Sequence, residues 1–260
     1  MKPTISILGC GWLGQPLAKH LLTKGYSIKG STTSKSKMDQ LGSTGISPFL
    51  IELESLSSNI SEFLEAEILI VNVPSKNSKS FENLIVEIEK SSVKKVLFIS
   101  STSVYEPSAE MITENSALMT SNLVNIENLF LLNSYFSTTI IRFAGLMGYM
   151  RNPGRFFPAG KSIKNPDGFV NMIHRDDCIA IITGIIERGI WNETFNACSD
   201  QHPTRREFYS KAALEISLPI PHFIENSPNS FKIISNKKIK SYLNYTFIYP
   251  DIMNALQGEN

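Results

Sequence analysis

Three closely spaced glycines follow an apolar run at the start of the chain. Residues 4–8 (TISIL) predict a buried strand, Gly9, Gly11 and Gly14 follow it in a G-x-G-x-x-G pattern, and apolar spacing up to Gly25 predicts a helix. A dinucleotide-binding turn needs a tight bend at the first glycine, no Cβ where the pyrophosphate approaches the second, and close helix packing at the third. Three glycines can also mark an ordinary loop, but here a strand precedes them and a helix follows. We expect a dinucleotide to be bound by Gly9, Gly11, Trp12, Leu13 and Gly14.

Segments typical of strands and helices alternate along the rest of the chain. They predict strands at 26–31, 46–53, 67–73, 95–100, 138–143 and 194–197, and helices at 80–91, 116–134, 176–187 and 204–216. This alternation predicts an α/β fold, a doubly wound parallel sheet of about seven strands with a small C-terminal lobe. We expect residues 1–144, with 171–200 adding sheet and helix, to form the nucleotide-binding domain. Residues 145–170 and 201–260 are expected to form a lobe on the substrate side, and the Ser-, Thr- and Lys-rich stretch 31–47 a loop.

Composition excludes several classes of partner. The 25 basic and 24 acidic residues give a net charge of +1, which predicts no general attraction to nucleic acid or to an anionic membrane. Three cysteines, Cys10, Cys178 and Cys198, form no C-x-x-C pair and lie at no metal-ligand spacing with the histidines, so we expect no metal site. No apolar stretch approaches the roughly 20 residues that span a bilayer. These features predict a cytoplasmic protein with a small-molecule substrate.

Four segments resemble one protein superfamily. They are ILGCGWLG at 7–14, LFISSTSVY at 97–105, IRFAGLMG at 141–148 and MIHRDD at 172–177. Together they are similar to the extended and atypical short-chain dehydrogenase/reductases, in the compact bacterial branch of the NAD-dependent epimerase/dehydratases. The resemblance spans nearly the whole chain and implies a Rossmann domain, NAD(P)-dependent chemistry and, at the level of the family, a homodimer.

The resemblance also implies a catalytic pair that this chain lacks. In the family, the tyrosine of a Tyr-x-x-x-Lys pair exchanges a proton with the substrate hydroxyl, the lysine lowers the pKa of that tyrosine, and a Ser or Thr bonds the same oxygen. Ser101 matches the Ser/Thr position, whereas Met119 and Leu123 stand where the pair is expected. No tyrosine in the chain has a lysine four residues later. A phenol with an ordinary pKa of about 10 is a poor base at neutral pH, so a displaced tyrosine such as Tyr105 or Tyr149 would need an activating cation.

Three residues remain as catalytic candidates. Ser101 and Tyr105 lie in the segment after the predicted strand 95–100, and His174 precedes Asp176 and Asp177, which we interpret as a helix N-cap pair. A histidine titrates near neutrality, although a structural role for His174 is an equal alternative. Arg142 on an apolar strand needs a partner, for which a phosphate, a carboxylate and the substrate are all open.

The cofactor expected from the sequence is NADP, with NAD as the alternative. NAD-selecting sites place Asp or Glu roughly 20 residues beyond the glycines, but residues 30–35 here read GSTTSK. Hydroxyls and a lysine suit a 2′-phosphate, so we expect Thr32 and Thr33 to contact it, unless they are ordinary loop residues. Ligands in such sheets lie outside the carboxyl ends of strands, and there we expect further cofactor contacts from Asn72, Val73, Pro74 and Ser100.

Two functions follow from these observations. The first is an NAD(P)-dependent oxidoreductase or epimerase/dehydratase-like enzyme acting on a hydroxyl or carbonyl group of a small polar or sugar-derived compound. The alternative is a non-catalytic NADP(H)-binding sensor, which the missing Tyr-x-x-x-Lys pair motivates.

Overall fold

The computed structural model describes residues 2–157, 161–227 and 231–257. Its strands are, in chain order, β1 (Thr4–Leu8), β2 (Ser27–Thr32), β3 (Ser47–Leu50), β4 (Ile68–Val71), β5 (Lys95–Ser101), β6 (Met111–Ile112), β7 (Ser137–Phe143), β8 (Gly145–Met147), β9 (Ile163–Lys164), β10 (Met172–His174), β11 (Thr194–Ala197), β12 (Phe223–Ile224) and β13 (Ile233–Ile234). Its helices are α1 (Gly14–Thr23), α2 (Lys35–Gly42), α3 (Ile60–Phe63), α4 (Ser78–Glu89), α5 (Asn122–Leu131), α6 (Arg175–Arg188), α7 (Arg205–Glu215) and α8 (Lys237–Leu243).

Seven strands form one sheet in the order β11-β7-β5-β4-β1-β2-β3. The pairs β1–β2, β1–β4, β2–β3 and β4–β5 are all parallel. Every residue of β4 is buried, as expected for a parallel strand covered on both faces. The predicted doubly wound α/β fold of about seven strands is confirmed.

The chain divides into two compact units. The first comprises residues 1–100, 119–141 and 182–194, and the second comprises 101–118, 142–181 and 195–260. The first unit has a large apolar core that includes Phe81, Phe98 and Phe130. The second unit has its own smaller core, around Met147, Phe208 and Ile252. This division differs from the boundary that we predict near residue 144, because residues 101–118, 142–144, 171–181 and 195–200 group with the second unit.

Two local predictions from the sequence are wrong. The stretch 31–47 is not a continuous loop, because α2 lies within it and buries Leu41. The helix predicted from residue 116 begins only at Asn122, where the Ser121 hydroxyl accepts a hydrogen bond from the Val124 amide at 3.3 Å and caps it. Met119 therefore precedes the helix.

Other helix ends follow the expected capping chemistry. Asn77 caps α4 by accepting from the Lys79 amide at 3.1 Å. Thr204 and Glu207 form a reciprocal capping box at the start of α7. Within the described ranges, no helix is long and apolar enough to cross a membrane.

Candidate functional site

The glycine turn, residues 9–14, meets the three requirements of a dinucleotide-binding turn. Gly9 has a φ of +102°, and a Cβ there would lie 2.3 Å from the Asn72 carbonyl oxygen. A Cβ on Gly14 would lie 2.2 Å from the Gly9 carbonyl oxygen, so the helix packs closely on the turn. Gly11, in contrast, is exposed and has no atom within 4 Å of its Cβ position. The second glycine therefore leaves open the space through which a pyrophosphate approaches the backbone.

Two side chains fix this turn. Ser31 is buried, and its Oγ accepts a hydrogen bond from the Gly9 amide at 2.9 Å. Its carbonyl oxygen accepts a second hydrogen bond, from the Cys10 amide, at 2.8 Å. Asn72 donates from Nδ2 to the Gly9 carbonyl oxygen at 2.9 Å. Asn72 thus helps to shape the turn, and its predicted contact with the cofactor stays a prediction. The contact of Ser31 with the glycine turn is not among those expected from the sequence. The position of Ser31 near the end of the second strand is a signal for it, because the second strand lies beside the first strand and so beside the loop that follows it.

The first turn of α1 fits a bound phosphate. Leu13 stands at the N-cap and provides no side-chain acceptor for the helix amides. These amides and the positive end of the helix dipole suit an anion. Cys10, within the turn, is buried against Gly30, and burial raises the pKa of its thiol to about 12. The thiol stays protonated at neutral pH and adds no charge to the turn.

The end of β2 carries hydroxyls and lysines. Thr32 Oγ1 accepts from the Ser34 amide at 3.2 Å, Thr33 is exposed, and α2 begins at the exposed Lys35. Residues 30–38 contain no Asp or Glu. The carboxylate that would hold the 2′-hydroxyl of NAD is therefore missing from this segment.

The remaining cofactor candidates in the first unit follow β4 and β5. Val73 lies against the glycine turn, since its Cγ1 is 2.9 Å from the point that a Cβ on Gly9 would occupy. Pro74 is exposed. Ser100 is buried and donates to Glu127 Oε1 at 2.5 Å. The contact engages the hydroxyl proton of Ser100 within the protein, its oxygen can still accept a hydrogen bond, and its predicted cofactor contact stays a prediction.

Tyr105 lies in a buried polar network of the second unit. Its hydroxyl donates to Asn196 Oδ1 and accepts from Arg142 Nη1, both at 2.7 Å. Burial raises the pKa of Tyr105, and the Arg142 charge offsets this only in part. The predicted catalytic role of Tyr105 would require this network to open. Arg142 thus has Tyr105 as one partner, which the sequence could not identify.

Ser101 begins the segment that leads to Tyr105. Its Oγ accepts from the Ser103 amide at 3.1 Å and caps a short 3-10 helix over Thr102–Val104. The half-buried hydroxyl retains its proton for donation. Its predicted role toward a substrate oxygen stays a prediction.

His174 is fully buried at the end of β10. Its ring lies 3.9 Å from the Tyr249 ring and 5.5 Å from the Tyr149 ring, centroid to centroid. Its Nδ1 accepts from the Asp176 amide at 3.2 Å. These contacts show a structural role at the start of α6, and acid–base work by His174 stays a prediction.

The two aspartates after His174 differ in their contacts. Asp177 accepts from the Tyr245 hydroxyl at 2.6 Å and from the amides of Ile248 and Tyr249 at 2.7 and 3.0 Å. It therefore binds the C-terminal segment to α6. Asp176 instead accepts from the Tyr149 hydroxyl, at 3.1 and 3.0 Å to its two oxygens. Within the described residues, no cluster of three His, Cys, Asp or Glu side chains could hold a metal ion.

The chain is similar to known proteins in sequence. Residues 4–125 match the model of a family described as the NAD-binding domain of 6-phosphogluconate dehydrogenase. The protein YeeZ of Escherichia coli strain K12 is 30% identical, in an alignment that covers 95% of this chain and 96% of YeeZ.

Solved structures share the fold over nearly the whole chain. A protein described as an NAD-dependent epimerase/dehydratase from Methylobacillus flagellatus has a TM-score of 0.81 at 23% identity, covering 97% of this chain and 96% of that one. UDP-glucuronic acid 4-epimerase from Bacillus cereus, in complex with NAD, has a TM-score of 0.77 at 15% identity, covering 98% and 97%. At these identities the likeness establishes the fold.

Proposed function

We propose that this chain, which belongs to the family of the Escherichia coli protein YeeZ, is an NADP-preferring enzyme of the NAD-dependent epimerase/dehydratase branch of the short-chain dehydrogenase/reductases. The reaction is oxidoreduction or epimerisation at a hydroxyl or carbonyl group of a small polar or sugar-derived compound. The glycine turn carries this proposal, because two of its glycines are needed for close packing and the third is open to a ligand.

The roles of the residues follow from their positions. The amides of residues 11–14 would bind the pyrophosphate, with Ser31 and Asn72 holding the turn in shape. When bound, the nicotinamide supplies the acceptor or donor of a hydride. Ser101 would donate a hydrogen bond to the reacting oxygen of the substrate, which favours the charge that develops there.

The preference for NADP rests on the charge at the end of β2. A 2′-phosphate needs hydrogen-bond donors and a cation, and Thr33, Ser34 and Lys35 offer both chemistries. A carboxylate there would repel the phosphate, and residues 30–38 contain none.

A titration followed by a turnover screen tests the proposal. Nicotinamide fluorescence should show saturable binding of NADPH and weaker binding of NADH. NADPH oxidation is then followed with a panel of sugar-derived aldehydes and ketones, and nucleotide sugars are screened for epimerisation. Turnover of a panel member supports the enzyme. Tight NADPH binding without turnover of any compound would favour the sensor, and no binding of either nucleotide would refute both functions.

A further inference from the structure

Two arginines begin helix α7 in the second unit, and they differ in their partners. Arg206 donates from Nη2 to both carboxylate oxygens of Glu225, at 2.9 and 2.8 Å. Among the described residues, Arg205 has no ion pair and no acceptor for its guanidinium. A cation in the first turn of a helix is unfavourable, because the positive end of the helix dipole lies there. The charge of Arg205 is therefore held at this position against its local electrostatics.

The guanidinium of Arg205 is partly enclosed by the protein. Its Nε has no contact with solvent and no hydrogen-bond partner within the described ranges, although the residue as a whole keeps an intermediate exposure. An enclosed N–H group without an acceptor has lost its hydration without a hydrogen bond in return, and folded proteins pair nearly all such groups. An unpaired cation of this kind is suited to an acceptor that comes from outside the chain.

Tyr209 lies one helical turn after Arg205 and adds a second donor. The Arg205 guanidinium carbon lies 6.0 Å from the centroid of the Tyr209 ring. Burial raises the pKa of Tyr209, and the charge of Arg205 offsets this only in part. The phenol is thus protonated at neutral pH, and in the part of the chain that the structure describes its hydroxyl has no hydrogen-bond partner. Both side chains therefore present donors from the same face of α7.

Packing fixes this face of α7. The Phe157 ring meets the Tyr209 ring edge-on, with 4.8 Å between the centroids and 77° between the planes. The preceding 3-10 helix lies so close to α7 that a Cβ on Gly154 would be 2.3 Å from the Ala212 carbonyl oxygen. The Arg205 amide donates to the Gly168 carbonyl oxygen at 2.8 Å. The two donors thus stand on a backbone that is held in place, as a binding site requires.

We propose that Arg205 and Tyr209 bind an oxyanion, the carboxylate or phosphate group of a small polar compound. The guanidinium supplies charge and a planar fork of N–H groups that fits either anion, and the Tyr209 hydroxyl donates a further hydrogen bond. The Arg206–Glu225 pair shows the same recognition within the chain. This site lies wholly in the second unit, so the inference goes beyond the proposed function and depends on neither the cofactor nor turnover.

Isothermal titration calorimetry with two acidic probes tests the site. The probes are glucuronate and glucose 6-phosphate, and glucose is the neutral control. At physiological salt the full chain should bind at least one acidic probe saturably, and roughly tenfold or more tightly than glucose, since only the acidic probes can form charge-assisted hydrogen bonds. Binding of glucuronate alone would identify a carboxylate as the ligand group, and binding of glucose 6-phosphate alone a phosphate. No saturable binding of either acidic probe, or equal affinity for glucose, would overturn the proposal.

Variants of α7 show whether Arg205 is responsible for the binding. Arg205→Met removes the charge and keeps an unbranched side chain, and Arg206→Met is the matched control. Arg205→Met should weaken binding of the acidic probe roughly ten- to a hundredfold, and Tyr209→Phe roughly two- to tenfold. Arg206→Met should change it by less than about threefold, because salt screens this exposed ion pair. Wild-type affinity in Arg205→Met, or equal losses in Arg205→Met and Arg206→Met, would overturn the assignment.

Thermal unfolding separates a binding arginine from a structural one. Because Arg205 has no acceptor among the described residues, Arg205→Met without a probe should unfold at the wild-type temperature or above it. The acidic probe should raise the Tm of the wild type and of Arg206→Met but not that of Arg205→Met. A lowered Tm in Arg205→Met together with a wild-type shift by the probe would overturn the site. If Arg205→Met does not fold, wild-type affinity in both Arg205→Lys and Tyr209→Phe would overturn it instead.

Discussion

The substitution Gly11→Ala separates cofactor binding from folding. A methyl group at this position meets no atom within 4 Å, and the backbone there is not in the left-handed region. The variant should fold normally, and because alanine restricts the unfolded chain, stability should be unchanged or higher by about 0.4 to 1 kcal/mol. The same methyl group would occupy the space where the pyrophosphate approaches the turn.

The expected loss of affinity follows from the hydrogen bonds that the turn offers. A charge-assisted hydrogen bond contributes about 1.5 to 3 kcal/mol, so displacing the phosphate from one amide should weaken binding roughly ten- to a hundredfold. Fluorescence titration with NADPH measures the Kd, and urea unfolding measures the stability.

Two other glycine variants serve as references. Gly42→Ala, at the end of α2, meets Pro48 at an ordinary 3.9 Å, so it should raise stability by a similar amount and leave the Kd for NADPH unchanged. Gly14→Ala places a Cβ 2.2 Å from a backbone oxygen and should destabilise the fold by about 1 to 3 kcal/mol or more. Wild-type affinity for NADPH in a folded Gly11→Ala protein would refute the assignment of this turn as the pyrophosphate site.

Three further outcomes are expected. Ser31→Ala leaves the Gly9 amide without its side-chain acceptor, so the free energy of unfolding in urea should fall by about 1 to 3 kcal/mol. NADPH binding should weaken as well. A variant with unchanged stability and unchanged affinity would contradict the role of Ser31. Tyr105→Phe removes the hydroxyl between the buried side chains of Arg142 and Asn196, so the free energy of unfolding should fall by about 1 to 3 kcal/mol. The Kd for NADPH should not change. Weaker NADPH binding with unchanged stability would count against a structural network. The Thr204 hydrogen bonds lower the pKa of Glu207, so the capping box stabilises the fold above the ordinary pKa of a glutamate and loses this contribution as the pH falls through the lowered value. Thermal unfolding between neutral and acidic pH should show a weaker pH dependence in Glu207→Gln, and identical profiles would exclude this contribution.

Local sequence patterns predict much of this fold. The strand–glycine–helix opening and the apolar runs of β4 and β5 have short-range signatures, and the predicted sheet is confirmed. The start of α5 was harder to place, because both Ser116 and Ser121 can cap a helix and only the structure shows that Ser121 does so.

The contacts that define the sites are set by distant parts of the chain. The Arg142–Tyr105 and Tyr105–Asn196 hydrogen bonds span 37 and 91 residues, so no local pattern could identify them. Ser31 reaches the glycine turn because β2 lies next to β1 in parallel register.

Transfer of deuterium from NADPH labelled at nicotinamide C4 tests the central claim most directly. After incubation of the wild-type protein with the panel of sugar-derived aldehydes and ketones, mass spectrometry of the products locates the label. We predict deuterium on the carbon that bore the carbonyl group in at least one product. A protein that binds NADPH, transfers no label to any of these compounds and epimerises no nucleotide sugar would contradict the proposed hydride transfer.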